Sequence, residues 1–146
     1  MKRLQYAHSQ LHNAISLLTA VSADVEDMHY GAVMGIVNQL ELLREVVSLK
    51  DSAENVSEAL QIDVAAMLGE SAFSLGPRSL LDDYVSVRLE SVAAAVLSIQ
   101  SRYLDADDKP LRMIGNAMYE ARLWIATAKH AVNNELNAFP EIYLAA

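Results

Sequence analysis

The chain has 146 residues, a formal net charge of −8 and 53% hydrophobic residues, and it contains no cysteine. That apolar content is too high for a disordered chain, and the missing cysteine excludes disulfide scaffolds, thiol nucleophiles and cysteine-ligated metals. The acidic balance argues against a nucleic-acid partner, since phosphate binding needs a basic face. We expect a single domain, residues 1–146, in a reducing compartment such as the cytoplasm, with neither a nucleic-acid nor a membrane partner.

Two helices are predicted for residues 1–50, which form the first helical hairpin. The first runs from about Lys2 to Val25, a break lies near Asp24–Tyr30, and the second runs from about Tyr30 to Leu49. On both helices apolar residues recur at spacings of three and four, which is typical of one buried stripe per helix. The stripes consist of Leu4, Leu11, Ile15, Leu18 and Val25 on the first helix and Val33, Ile36, Leu40, Leu43 and Val47 on the second.

A third helix is predicted in the segment 51–78, between two hairpins. Asp51 with Glu54 resembles a capping box that opens this helix, and Gly69 is a candidate left-handed cap at its end. The stretch from Gly69 to Arg78 reads as a loop. We expect the third helix to bridge the first hairpin and the second.

The second hairpin occupies residues 79–140 and is followed by a tail, residues 141–146. Ser79 with Asp82 predicts the cap of the fourth helix, and Asp107 or Asp108 that of the fifth, with Pro110 in its first turn. No segment alternates with the period of a strand. The predicted fold is therefore all-α, with five helices, in which two αα-hairpins form a core resembling a four-helix bundle and the third helix bridges them.

An internal duplication is suggested when the chain is aligned with itself at an offset of 78 residues. The predicted order of helix, acidic break and helix then coincides in the two hairpins. The alternative is that any two amphipathic hairpins would align equally well. The identical pairs are Tyr6/Tyr84, Leu11/Leu89, Asp27/Asp105, Ile36/Ile114, Asn38/Asn116 and Arg44/Arg122.

Four residues are weak candidates for metal ligands. His8 and His12 are four residues apart on one helix, a spacing that can place two imidazoles on one metal ion. Glu26 and His29 form a single Glu-x-x-His motif, whereas di-iron bundles use that motif twice. The alternative is that the histidines lie half solvated at the rim of a buried face. We therefore expect no metal and no other cofactor.

Charged residues interrupt the apolar faces of several predicted helices. Arg88 falls within the stripe of the fourth helix and Asp63 within the apolar arc of the third, while Arg44 and Arg122 lie near the rims of their stripes. A lone buried charge is costly, so we predict that Asp63 pairs with one of these arginines and fixes the docking of the third helix. The alternative is a polar pocket around these residues that binds a small ligand.

The second helix carries a second apolar stripe on the side opposite its core face. The alternatives are cover from within the chain, by the third helix or the segment Phe139 to Leu144, and a homodimer or partner interface with Asn38 as a hydrogen-bonding group. The predicted interface residues are Met34, Asn38, Leu42, Glu45 and Leu49.

An acidic ridge is predicted on the exposed side of the third helix, formed by Asp51, Glu54 and Glu58. Residues 51–77 hold five acidic residues and no lysine or arginine. Such a ridge can serve solubility alone, or it can attract a basic surface on another protein. In the extreme case the chain is an inhibitor that occupies a nucleic-acid-binding groove of another protein.

No catalytic motif occurs in the sequence, so we do not expect an enzyme. The leading hypothesis is a small acidic helical protein that acts through contact with a protein partner, as a regulator, adaptor or inhibitor, and forms a homodimer. The alternative from another class is an enzyme or a ligand- or metal-binding bundle with a polar pocket between helices.

Overall fold

A computed structural model describes residues 3–48 and 78–133, and all the regular structure within these ranges is helical. The prediction of an all-α protein is confirmed for this part of the chain. The third predicted helix, Asp51 to Gly69, and the segment Phe139 to Leu144 lie outside the described residues. The described helices are α1 (Arg3–Ser22), α2 (Asp27–Ser48), α3 (Arg78–Gln100) and α4 (Lys109–Val132). Of these, α3 and α4 correspond to the fourth and fifth predicted helices.

The four helices form an antiparallel bundle in which α1 and α3 each pack against both α2 and α4. Tyr103, just after α3, bonds to the backbone of Glu26, just before α2, so α2 and α3 run in opposite directions. Thr127 near the end of α4 reaches Gln10 near the start of α1, so α1 and α4 are antiparallel as well. Each helix therefore has two antiparallel neighbours, as in an up-down-up-down four-helix bundle.

The apolar faces of the four helices meet in one core. Leu11, Leu40, Leu89 and Ile125, one from each helix, have at most 1% of their surface exposed. Alanines with no exposed surface lie on α1 and α4, and their small side chains let the axes of these two helices approach closely. These alanines are Ala7, Ala14, Ala121, Ala128 and Ala131.

The helix boundaries differ from the predicted ones by a few residues. α1 ends at Ser22, α2 begins at Asp27 rather than near Tyr30, and α3 begins at Arg78, one residue before the predicted cap. Asp108 is the N-cap residue of α4, followed by Pro110 in the first turn, as predicted. Its side chain makes no capping hydrogen bond, however. The extended backbone at Asp108 and the fixed φ of proline therefore start this helix without a side-chain cap.

The two hairpins coincide in register only in part, and the duplication is not confirmed. α1 ends at Ser22 and α3 at Gln100, which are equivalent at the offset of 78 residues. The link in the first hairpin covers residues 23–26, whereas that in the second covers 101–108, so α4 begins four residues later than α2 would require. Four residues are about one helical turn. The second helix therefore begins about one helical turn later in the second hairpin than in the first.

The longer link packs closely on α4 at Gly115. A Cβ atom at this position would lie 3.0 Å from the backbone nitrogen of Leu104 and 3.0 Å from the carbonyl carbon of Tyr103. Real Cβ atoms rarely come so near to backbone. Glycine at this position therefore allows the link to cross the helix.

Candidate functional site

The predicted interface on α2 is divided between the core and the surface. Asn38 is exposed, as the prediction requires, and Met34 and Glu45 are half-buried. Leu42 is half-buried too, but it packs against the hydrophobic core of the bundle. Leu49 lies outside the described residues. Met34 and Asn38 are therefore the part of the predicted interface that is not needed for the core.

Two glycines, Gly31 and Gly35, lie on the same side of α2 as Met34 and Asn38. We call these four residues the outer face of α2. Gly31 and Gly35 are exposed although they lie well inside the helix. A Cβ atom added at either glycine would have no atom of residues 3–48 and 78–133 within 4 Å. The packing of these described residues therefore does not require glycine at either position. Sequence reasoning missed them, although their spacing of four residues, which places them on one helix face, was the available signal.

Large apolar side chains are exposed elsewhere on the bundle as well. On α4, Tyr119 and Leu123 are 51% and 48% exposed and are one helical turn apart. These two side chains form an exposed apolar pair on α4. The other exposed large apolar residues in the described part of the chain are Met28, Tyr30, Val87, Leu97, Leu104 and Met113.

His8 and His12 lie beside Arg44 of α2. An N–H of the Arg44 guanidinium, at Nη1, donates to Nδ1 of His12 over 3.1 Å. Burial lowers the pKa of His8 below its ordinary value, and electrostatic interactions with Arg44 and His12 lower it further. His8 is half-buried and His12 exposed, close to the predicted position at the rim of a buried face.

Glu26 and His29 meet at the buried phenol of Tyr103, not at the other two histidines. The backbone N–H of Glu26 donates to the Tyr103 hydroxyl over 3.1 Å, and that hydroxyl is hydrogen-bonded to Nδ1 of His29. His29 and Arg44 are 15 residues apart on α2, which corresponds to about 22 Å along the helix. The four candidate ligands therefore do not converge. The described residues contain no group of three or more potential metal ligands.

Each of the three predicted arginines has a different neighbour. Arg122 donates from Nη1 to Oε1 of the buried Gln100 over 3.0 Å, and Arg44 bonds to His12. The guanidinium carbon of Arg88 lies 6.0 Å from the centre of the Tyr84 ring, within the range of a cation–π contact. All three arginines are half-buried, as the pattern predicted for residues in or near an apolar stripe.

Several predicted residues lie outside the part of the chain that the structure describes. These are Asp63, with its predicted arginine partner, and the acidic ridge of Asp51, Glu54 and Glu58. The pairing of Asp63 with an arginine, the polar pocket around it and the ridge therefore remain predictions. Arg44 and Arg122 already have polar partners without Asp63.

Comparisons with protein-family models, curated proteins and solved structures found no match to this chain. In the described ranges, no helix has both the length and the apolar character needed to cross a bilayer. A functional interpretation must therefore come from the positions and chemistry of the chain's own residues.

Proposed function

We propose that this protein acts through protein–protein contact and that the outer face of α2 is its contact surface. The observation that carries the proposal is the exposure of Gly31 and Gly35 inside a helix, with no atom of the described part of the chain in front of either. Glycine within a helix costs about 0.5–1 kcal/mol relative to alanine. The packing of the described bundle does not need these glycines. Close approach of another surface to α2 would explain why the sequence has glycine at both positions.

The chemistry of this face suits a close helix contact. Without side chains at Gly31 and Gly35, another helix can approach the backbone of α2. Half-buried Met34 supplies a flexible apolar side chain, which adapts to different partner shapes. The exposed amide of Asn38 can both donate and accept hydrogen bonds within the contact.

We propose a second copy of the chain as the occupant, so that the protein is a homodimer. In a symmetric dimer the same face is used twice, and an amide such as that of Asn38 can pair with its own copy. The protein would act as a regulator, adaptor or inhibitor in this form. The identity of any further partner does not follow from this surface.

The experiment is size-exclusion chromatography with light scattering on the full chain and on Asn38→Arg. Because Asn38 is exposed, the substitution should leave the fold intact, whereas two opposed arginines should dissociate the dimer. The matched control is Asn116→Arg on α4, an exposed asparagine at the equivalent position of the second hairpin, which should remain dimeric.

Two results would contradict the dimer. One is a monomeric wild-type chain at all concentrations tested. The other is an Asn38→Arg variant with reduced stability and unchanged mass, which would mean that another segment of the same chain covers this face. Leu42 is unsuitable for the test because its packing against the core would make a charged substitution destabilising by itself.

A common origin of the two hairpins remains our proposal for the architecture. Equivalent positions have the same degree of burial in several pairs: Leu11 and Leu89 are buried, Asn38 and Asn116 exposed, Arg44 and Arg122 half-buried. A relative that consists of one such hairpin and dimerises into a four-helix bundle would support this origin. Two hairpins related to different single-hairpin proteins would contradict it.

The cytoplasm is the proposed compartment. A chain without cysteine needs no oxidising environment in order to fold. Fractionation of native cells with an antibody against the chain tests the proposal, and recovery from an exported or membrane fraction would contradict it.

A further inference from the structure

Three basic side chains meet where α1 packs against α2: His8, His12 and Arg44. The guanidinium of Arg44 is 3.1 Å from the His12 ring, and both Arg44 and His12 act electrostatically on His8. Arg44 is half-buried, so its charge is less screened than that of a fully exposed residue. We call these residues the His8–His12–Arg44 cluster.

The hydrogen bond within the cluster determines which groups it can offer to a ligand. Arg44 has only donors, so Nδ1 of His12 must accept in this bond. Neutral His12 then carries its proton on Nε2, which makes its other ring nitrogen a donor. The N–H groups of Arg44 that do not bond to His12 are also donors. The cluster therefore presents N–H donors together with a positive charge.

Arg44 has no carboxylate partner in the described part of the chain, where its side-chain bond is to an imidazole. This is unexpected in a protein with 19 acidic and 11 basic residues. By contrast, Lys129 on α4 has a carboxylate partner: its Nζ lies 3.6 Å from Oε2 of Glu90 on α3. A half-buried guanidinium normally gains from an anionic partner, and the arginine fork fits the oxygens of phosphates and carboxylates.

We propose that the His8–His12–Arg44 cluster is a binding site for a phosphate-type oxyanion. Arg44 supplies the permanent charge and up to two parallel N–H donors, and His12, which accepts from Arg44 at Nδ1, holds the guanidinium in position. His8, one helical turn before His12, lies on the same side of α1 and borders the site. This site is separate from the outer face of α2, and the proposal does not depend on the proposed dimer.

The experiment is a titration of the full chain with inorganic phosphate at neutral pH and constant ionic strength, followed by the NMR signals of the His8 and His12 rings. Sodium sulfate is the second oxyanion and sodium chloride the control for screening. We expect saturable shifts of both rings with phosphate and sulfate, and no saturable shift with chloride. If neither oxyanion gives a saturable shift, the proposal is wrong.

Two substitutions distinguish the site from general anion effects. Arg44→Gln should weaken phosphate binding at least about tenfold, because it removes a charge-assisted contact. Arg122→Gln is the matched control, since Arg122 is also half-buried but bonds to Gln100 instead of a histidine, and it should bind phosphate as the wild type does. Equal binding by both variants would overturn the assignment.

A third variant keeps the test informative if Arg44→Gln does not fold. His12 is exposed, so His12→Ala should retain the fold and still weaken phosphate binding, by a smaller factor than the loss of Arg44. Phosphate should also raise the unfolding temperature of the wild type more than that of His12→Ala, because a ligand that binds only the folded state stabilises it. An equal rise in both proteins would contradict a role for His12.

Discussion

The phenol of Tyr103 is hydrogen-bonded to Nδ1 of His29, and their rings make an edge-to-face contact with centroids 5.3 Å apart. The two residues are 74 positions apart in the chain. The same hydroxyl accepts the backbone N–H of Glu26, so its own hydrogen is available to His29. One buried side chain thus joins the link after α3 to the start of α2 and ties the two hairpins together at this end.

Replacing Tyr103 with phenylalanine should lower the free energy of unfolding by about 1–3 kcal/mol. The substitution keeps the buried ring but leaves the Glu26 N–H and the His29 nitrogen without their partner. Urea unfolding measures the change. Tyr119→Phe is the control, because Tyr119 is 51% exposed and its variant should unfold like the wild type. Equal stability of the two variants would show that the Tyr103 hydrogen bonds contribute little.

The helix glycines should respond to alanine in opposite directions. Gly31→Ala and Gly35→Ala should each stabilise the folded chain by about 0.5–1 kcal/mol, because alanine favours helix and meets no neighbour. Gly115→Ala should destabilise it, because the new Cβ would contact the backbone of Tyr103 and Leu104. Thermal unfolding of the three variants, at a protein concentration low enough to keep the chain monomeric, measures these effects.

The same two variants on α2 bear on the proposed dimer. If the outer face of α2 packs closely against a second copy, the added methyl groups should weaken dimerisation while they stabilise the helix. Sedimentation at several concentrations would then give the double variant, Gly31→Ala with Gly35→Ala, a higher dissociation constant of the dimer than the wild type. An unchanged constant would mean that the contact does not involve close approach at these glycines.

Removing the Gln100 side chain should destabilise the bundle. Gln100 is 1% exposed and accepts a hydrogen bond from Nη1 of Arg122, while the buried Nε of Arg122 has no hydrogen-bond partner among the described residues. Gln100→Ala leaves this guanidinium without its acceptor, at a cost of about 1–3 kcal/mol. In a double-mutant cycle with Arg122→Met, the second substitution should remove most of that cost. Additive effects would show that the two side chains are not coupled.

The free energy of unfolding should decrease at acidic pH, in part because of His8. Burial and electrostatic interactions with Arg44 and His12 lower the pKa of His8 from its ordinary value of 6.5, so the unfolded chain binds a proton there more readily than the folded chain. The contribution of this residue is therefore present above pH 6.5 and is lost as the pH falls through the lowered pKa. His8→Gln should lose less stability than the wild type when the pH is lowered from above 6.5. Urea unfolding at a series of pH values measures this difference.

A second measurement separates the causes of the His8 shift. Since the charge of Arg44 contributes to the lowering, Arg44→Gln should raise the pKa of His8 toward its ordinary value in an NMR titration. Burial is the larger cause, so the pKa should remain somewhat lowered. An unchanged titration of His8 in Arg44→Gln would contradict the proximity of these two residues.

The repeated spacing of apolar residues was sufficient to predict four helices and their buried faces. Leu11 and Leu40 are buried where the stripes place them, and Arg44 and Arg122 are half-buried at the rims. The prediction was less accurate at helix ends, as at Asp27, because ends depend on a few backbone hydrogen bonds rather than on a repeated pattern. It also treated Leu42 as part of an outer stripe, although the side chain packs against the core.

The partners of the polar side chains were decided only by the tertiary structure. Arg44 and His12 are 32 residues apart, and Tyr103 and His29 are 74 apart, so their contacts depend on the order of the helices around the bundle. Periodicity is a property of a single segment and says which side of a helix is buried. It contains no information about the neighbouring helix or its axial register, and that register brings His12 to Arg44 and the Tyr103 hydroxyl to the start of α2.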